Sequence, residues 1–391
     1  MIERNLSSVV LESAEYYPIV TLTGPRQSGK TTLCRHLFPD KQYLSLENID
    51  TRAYATSDAR GFLEEHKEGA VFDEIQHAPE LLSYLQTEVD ERPEPGRFVL
   101  TGSQHFGLSA SIAQSLSGRT AVLELLPLGL DELKRFSEPP KGLFETLWQG
   151  GYPRIHDRHI PPDRFLADYV TTYIQRDVRQ VLSVGNLMAF NTFLKLCAGR
   201  TAGVLNLSSL AADSGISHNT AKAWLSVLEA GYIVFRLPAW YRNMKKQFIK
   251  APKLHFIDSG LACYLLDIAS ADQLRHHPLR GAIFESWVVS EVYKNRVHRG
   301  KRPNLFYFRD RRGLEVDLVL DEGEKLVISE IKSGQTVAND FFSPLNSLKA
   351  LAEKAESWRT PRWRLVYGGD QGQKRSEVNV ISWSALIDLD W

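Results

Sequence analysis

The sequence predicts an α/β protein: a parallel-sheet domain first, a helical middle with a winged-helix-like element, then a second, smaller α/β domain. Three observations carry this. Short β-rich runs alternate with segments of helical period up to about residue 131, and the runs are nearly continuous in apolar residues, as in strands buried on both faces. The first run passes directly into a glycine-rich turn and a helix-compatible stretch. Beyond residue 279, two apolar runs flank a tight polar turn, the pattern of a hairpin.

In chain order, the expected strands are PIVTLTG (18–24), YLSLEN (43–48), GAVFDE (69–74), RFVLTGS (97–103) and AVLELLPL (121–128). Gly- and Pro-rich connections follow at 137–142 and 150–163. From Phe165 to about Ala271 the pattern is helical, broken by a β ribbon at 231–237. An amphipathic helix is expected at 282–295, followed by strands LFYFRD, LEVDLVLD and KLVISEIKS, a helix, and RLVYGG at 364–369. These boundaries suggest domains at 1–135, 136–275 and 276–391.

The chain has 391 residues, with 47 Lys plus Arg against 47 Asp plus Glu, so it is neither a basic nucleic-acid coat nor an acidic-tailed protein. The balance is uneven along the chain. Residues 1–100 hold 10 basic against 17 acidic side chains, whereas residues 236–315 hold 16 against 7. A polyanion would meet the second half. No apolar run is long enough for a membrane helix, and the N-terminal residues lack the apolar core of a signal peptide. Cys34, Cys197 and Cys263 are too few and too scattered for a disulfide framework or a zinc site. A cytoplasmic location and no membrane association are expected.

Residues 24–31 match G-x-x-x-x-G-K-[ST] at every position: Gly24, Pro25, Arg26, Gln27, Ser28, Gly29, Lys30, Thr31. With Thr32 they lie between an apolar strand and a helix, the context a phosphate-binding loop requires. Backbone N–H groups would turn onto the phosphates of ATP, Lys30 would reach the β- and γ-phosphates, and Thr31 would place its hydroxyl on Mg²⁺. A second strand ends in Asp73 and Glu74. Asp73 can hold Mg²⁺ and Glu74 can deprotonate an attacking water; a solvated acidic strand end is the bland alternative. Thr101 and Ser103 end another strand, where they either sense the γ-phosphate or simply form a turn.

These residues resemble the AAA+ class of P-loop ATPases. Within that class the chain looks like a group of bacterial and archaeal ATP-binding proteins that join such an ATPase to a C-terminal domain of unknown function. The resemblance rests also on SGRTAVLELLPLGLDEL (117–133), GGYPR (150–154), YIQRDV (173–178), FIKAPKLHFIDSGLACYLL (248–266), EVDLVL (315–320) and SEIKSG (329–334). It implies a homo-oligomer in which an arginine stabilises the transferring phosphate, and Arg119 is the matching residue. A surface arginine held by a local carboxylate is the competing reading. GGYPR resembles a sensor element of related ATPases, with Arg154 nearby.

In the middle, SSLAAD, Gly215 and a helix capped by Ser217 have a helix-turn-helix rhythm leading into the ribbon, resembling a winged helix. In DNA-binding members the second helix enters the major groove. Its exposed face would offer His218, Asn219 and Lys222; a lid that packs on the ATPase or mediates protein contacts is the alternative. The stretch 236–255 interleaves basic residues with Trp240, Tyr241 and Phe248, which suits either a nucleic-acid backbone or an exposed hairpin.

In the last domain, a turn centred on Glu322-Gly323 would set Asp317 opposite Ile328 and Glu315 opposite Glu330. That puts Asp317, Glu330 and Lys332 on one sheet face beside Val319, Leu326 and Ile328. Like charges on such a face are costly unless a cation binds them. Asp317 and Glu330 would hold Mg²⁺ that activates water, with Lys332 stabilising the reacting phosphodiester. The pattern resembles PD-(D/E)XK nucleases, with Val316 in place of the motif's proline, and implies a restriction-endonuclease-like fold in which Glu285 completes the site. The basic segment 294–312 lies just upstream, where DNA phosphates would bind. The expected function is an ATP-hydrolysing protein acting on DNA, branched or broken DNA included. The alternative is a nucleotide-operated switch or scaffold whose inactive terminal domain binds a protein partner.

Overall fold

The computed structural model describes residues 2–103, 112, 114–174, 186–240, 251–353, 361–375 and 377–391. Strands β1 (Ile19–Thr23), β2 (Gln42–Ser45), β3 (Ala70–Asp73), β4 (Phe98–Gly102) and β5 (Thr120–Glu124) form a sheet in the order β2-β3-β4-β1-β5. Every pairing in it is parallel. On one face Ile19, Phe72, Phe98 and Leu100 pack with Phe62, Leu82 and Leu85; on the other Val20, Leu22, Val71 and Val99 pack with Leu6, Leu33 and Cys34. Both faces are therefore dry, which is why the three central strands read as continuous apolar runs. Parallel register brings the C-terminal ends of β1, β3 and β4 to one edge. Strand β2 stops at Ser45, short of its predicted end, because Asn48 turns the chain and caps helix Ile49–Ser57 through the N–H groups of Asp50 and Thr51.

In the middle, helices Leu207–Asp213 and His218–Ala230 flank Gly215 (φ +66°), and Ser217 Oγ accepts from the Thr220 N–H at 3.1 Å. An antiparallel ribbon follows, β6 (Val234–Leu237) with β7 (Lys253–Phe256). The ribbon starts three residues later than predicted. Tyr232 takes a left-handed conformation and the Ile233 N–H returns to the Leu228 carbonyl, closing the helix first. Tyr241 and Phe248 lie outside the described residues, as does most of YIQRDV.

The terminal sheet contains β8 (Leu305–Arg309), β9 (Glu315–Asp321), β10 (Leu326–Lys332), β11 (Arg362–Tyr367), β12 (Gln373–Arg375) and β13 (Val378–Ser382), in the order β12-β13-β11-β10-β9-β8. Helix Arg280–Val297 covers the face of Leu318, Leu320, Val327 and Ile331, and helix Ser343–Glu353 covers that of Val319, Leu326 and Ile328. Two predictions need correction. The register pairs Leu326 with Asp321 and Ile328 with Val319, so Asp317 does not face Ile328: the loop spans Glu322 to Lys325, two residues longer than the tight turn assumed. The shift is even, so the shared face survives. Helix Arg280–Val297 is not amphipathic either; Ser286, Ser290, Glu291, Lys294, Asn295 and Arg296 are buried along with its apolar residues. It lies between the terminal sheet and segment 126–132. Among the described residues, no helix is long and apolar enough to cross a membrane.

Candidate functional site

The loop after β1 is shaped by backbone that only certain residues tolerate. Gly24 has φ +146°, and a Cβ there would lie 2.2 Å from the Leu125 carbonyl oxygen. Gln27 and Gly29 also have positive φ, and Lys30 opens helix Lys30–Leu37. This winding turns successive amides inward at a helix N-terminus. The Ser28 hydroxyl is buried and makes no hydrogen bond. Lys30 curls over the loop, its Nζ donating to the Gly24 and Pro25 carbonyls at 3.1 and 2.9 Å. Burial pushes the Lys30 ammonium below its usual range, and Glu74 and Asp73 oppose that fall.

Asp73 sits at the end of β3 beside this loop. Its carboxylate accepts from Thr31 Oγ1 at 3.1 Å and also from the hydroxyls of Thr101 and Tyr43. Glu74 has φ 59°, and its N–H donates to Thr101 Oγ1 at 3.2 Å. Its Oε2 accepts from Gln76 Nε2 and from Ser103 Oγ at 3.3 Å. Burial alone would raise the Glu74 carboxyl, but the Lys30 ammonium and the Gln76 amide hold it below the usual range. The cleft of about 690 Å³ beside these groups is lined by Arg26, Gln27, Thr31, Thr32, Glu74 and Arg154. The unpartnered serine hydroxyl, the inward amides, the buried ammonium and the Thr31–Asp73 pair together fit a nucleoside triphosphate with Mg²⁺.

One further side chain holds the loop from outside. The Arg4 guanidinium donates to the carbonyls of Ser28 and Leu126, both at 2.8 Å, and to Glu132 Oε1 at 2.9 Å. Glu132 in turn accepts from the Gly129 N–H. Nothing in the local sequence marks Arg4, because its partners are 24 to 128 residues away. Arg119 lies at the other end of the sheet, at the start of β5, where its backbone carbonyl pairs with Ile19. Its guanidinium binds Asp90 twice, at 2.6 and 2.7 Å. A local carboxylate thus holds it, remote from Lys30 of its own chain.

The terminal domain gathers Glu285, Glu315, Asp317, Glu330 and Lys332 around one residue that no local sequence pattern marks. Lys253, from β7, is buried with its Nζ 2.7 Å from Glu285, 2.5 Å from Glu315 and 3.5 Å from Asp317. Asp317 Oδ2 accepts the Ile331 N–H at 2.9 Å, a side chain standing in where the β9–β10 ladder ends. Lys332 Nζ donates to Glu330 Oε1. Burial, and then the Asp317 charge, pushes the Glu285 and Glu330 carboxyls upward, and the Lys253 and Lys332 ammonium groups oppose that rise. The basic segment upstream is partly committed inward: Lys294 binds Glu291 and Arg296 binds Glu322, both buried. Arg299, Arg302, Arg311 and Arg312 remain exposed.

Residues 16–134 match the family model described as an AAA domain. Residues 140–272 and 280–386 match two families described as domains of unknown function, DUF8612 and DUF4143. The uncharacterized protein Rv2008c of Mycobacterium tuberculosis is 28% identical over 352 residues, covering 86% of this chain and 75% of its own. The uncharacterized protein MJ1544 of Methanocaldococcus jannaschii is 25% identical, with 79% and 74% covered. Among solved structures, the Walker-type ATPase of Pyrococcus abyssi aligns with a TM-score of 0.46 at 16% identity, covering 68% of this chain and 96% of that one. The chain thus joins an AAA/P-loop-like N-terminal domain to a separate C-terminal sheet domain that matches a family of unknown function.

Proposed function

We propose that the chain hydrolyses ATP at the loop 24–31 and couples hydrolysis to DNA held by its second half. The observation that carries the first part is the meeting of Lys30, Thr31, Asp73 and Glu74 at one sheet edge. Lys30 and the loop amides bind the phosphates. Thr31 and Asp73 would hold Mg²⁺, which when bound would supply charge neutralisation for the phosphates. Glu74, oriented by Gln76 and Ser103, takes the proton of the attacking water. Arg119 serves a neighbouring subunit of a homo-oligomer, exchanging Asp90 for the transferring phosphate. In this reading residues 1–135 hydrolyse ATP, 136–275 relay the change and 276–391, a nuclease-like module, hold DNA.

The DNA part is supported by the helix-turn-helix with its ribbon and by the exposed Arg299, Arg302, Arg311 and Arg312. Steady-state ATP turnover with Mg²⁺, measured with and without duplex, single-stranded and branched DNA, tests it, with Lys30→Ala as the blank. Turnover raised several-fold by DNA is the expected result. Turnover indifferent to every DNA would instead favour the second reading, a nucleotide-operated switch or scaffold whose terminal domain binds a protein. One observation already supports that reading: the ammonium of Lys253 stands among the carboxylates where a nuclease would need its metal.

A further inference from the structure

The carboxylates of the terminal domain need a cation. Glu285 of helix Arg280–Val297 lies near Glu315 and Asp317 of β9, with Glu330 of β10 beside Asp317, and both Asp317 and Glu330 are buried. Bringing such charges together out of water is prohibitive without compensation. A nuclease of this layout would meet the need with a divalent ion, which requires about six oxygen ligands in near-octahedral array.

The residues present do not fit that ion. Lys253 is only 1% exposed, and its ammonium is already within 3.5 Å of three of the four carboxylates. A divalent cation bridging Glu285 and Asp317 would have to occupy the space of that Nζ. The remaining charges are matched as well: Lys332 donates to Glu330, and Arg309 lies 3.5 Å from Glu315. Asp317 spends its second oxygen on the Ile331 N–H, so it is held in place by backbone. Glu330 Oε2 is the one exception. It is buried and without a hydrogen-bond partner. Lys253 itself is fixed from behind, being paired in the ribbon opposite Leu237 and lying 5.5 Å from the Tyr307 ring centre.

We infer that Lys253 is the resident cation of this cluster: a lysine supplied by the ribbon takes the place of a divalent metal, so the terminal domain binds no metal there and cuts no phosphodiester. The same contact latches the middle region to the terminal sheet, since one ammonium from β7 is shared by β9 and the long helix. The nuclease-like site is thus converted from a catalytic centre into a joint.

The test uses the full chain without nucleotide, titrated with Mn²⁺ by calorimetry, alongside a supercoiled-plasmid nicking assay with Mg²⁺ or Mn²⁺. Wild-type protein is expected to show no Mn²⁺ site that Asp317→Asn removes, and no nicking. Lys253→Met, which keeps the length and drops the charge, is expected to bind Mn²⁺ at least about tenfold more tightly than wild type, because the ammonium that competes for the same carboxylates is gone. Adding Asp317→Asn to that variant should abolish the gain. A wild-type Mn²⁺ site or nicking activity lost in Asp317→Asn would overturn the inference, as would a folded Lys253→Met variant with no gain. If Lys253→Met does not fold, the wild-type comparison decides alone. Neither readout involves ATP turnover or its response to DNA, so the outcome stands apart from the coupling proposed above.

Discussion

Glu74 is held in a left-handed backbone conformation that costs a non-glycine residue on the order of 1–3 kcal/mol, and the strain is locked in by the Thr101 hydroxyl beneath its N–H. The return is a carboxylate aimed across Gln76 and Ser103, close to the Lys30 ammonium. Glu74→Gln is expected to keep ATP binding while turnover falls by about 10² or more. Arg119→Ala should also lose turnover, but it alone should recover activity on mixing with Lys30→Ala, since each variant then supplies what its neighbour lacks. Failure of mixing to restore any activity would remove Arg119 from the neighbouring site. The phosphate loop, Asp73 and Glu74 were legible because they are local patterns: a spacing, a strand end. Lys253 and Arg4 were not, because each is defined by partners distant along the chain, and one lysine in a basic stretch gives no sign of turning inward.

At the level of elements, two of the segments behind the family resemblance, GGYPR and FIKAPKLHFIDSGLACYLL, prove to be halves of one contact. Gly150 and Gly151 of GGYPR run between helix Ser259–Leu265 and the Leu128 carbonyl. A Cβ on Gly150 would lie 2.3 Å from Asp258 Oδ1, and one on Gly151 would lie 2.4 Å from the Leu128 oxygen. Asp258 caps that helix through the Leu261 N–H at 2.9 Å and also accepts the Gly151 N–H at 2.6 Å. Pro153 then starts the short helix that points Arg154 into the nucleotide cleft. Removing the carboxylate loses a cap worth about 1 kcal/mol and strands a buried N–H worth about 1–3 kcal/mol. Asp258→Ala should therefore lower unfolding free energy by about 2–4 kcal/mol in denaturant titrations, with Asp258→Asn losing much less. Strand positions were readable from apolar runs here and elsewhere. Turn lengths were not: the hairpin register slipped by two because Glu322, held by Arg296, belongs to the loop rather than its centre.

Across the whole molecule, a buried polar chain runs from the phosphate loop to the terminal domain: Ser28 carbonyl, Arg4, Glu132, then His298 at the end of the long helix. The Leu126 N–H donates to His298 Nε2 at 3.1 Å, so this ring is neutral, and its 3.8 Å approach to Glu132 is no ion pair at neutral pH. Burial pushes the ring down to about 4, with Glu132 opposing only in part. Glu132, despite its burial, is drawn down to about 2, chiefly by Arg4. The unfolded chain protonates His298 below its ordinary value near 6.5 while the folded chain resists until about 4, so stability is lost as pH falls through that window. The loss amounts to about 3 kcal/mol at its acid end. Glu132 adds a further loss from about 4.5 downward, since its folded value lies below the unfolded one. Melting temperatures measured between pH 7 and 4 should fall accordingly, and His298→Asn should flatten the upper part of that decline. A decline identical in both proteins would take the histidine out of the account.

Because Lys253 lies in one family-matching stretch and its carboxylates in the next, these stretches are not interchangeable parts. A chimera that grafts residues 280–386 onto a foreign ATPase would carry four clustered acids without their ammonium. A breakpoint placed upstream of the ribbon would instead keep the lysine together with its carboxylates.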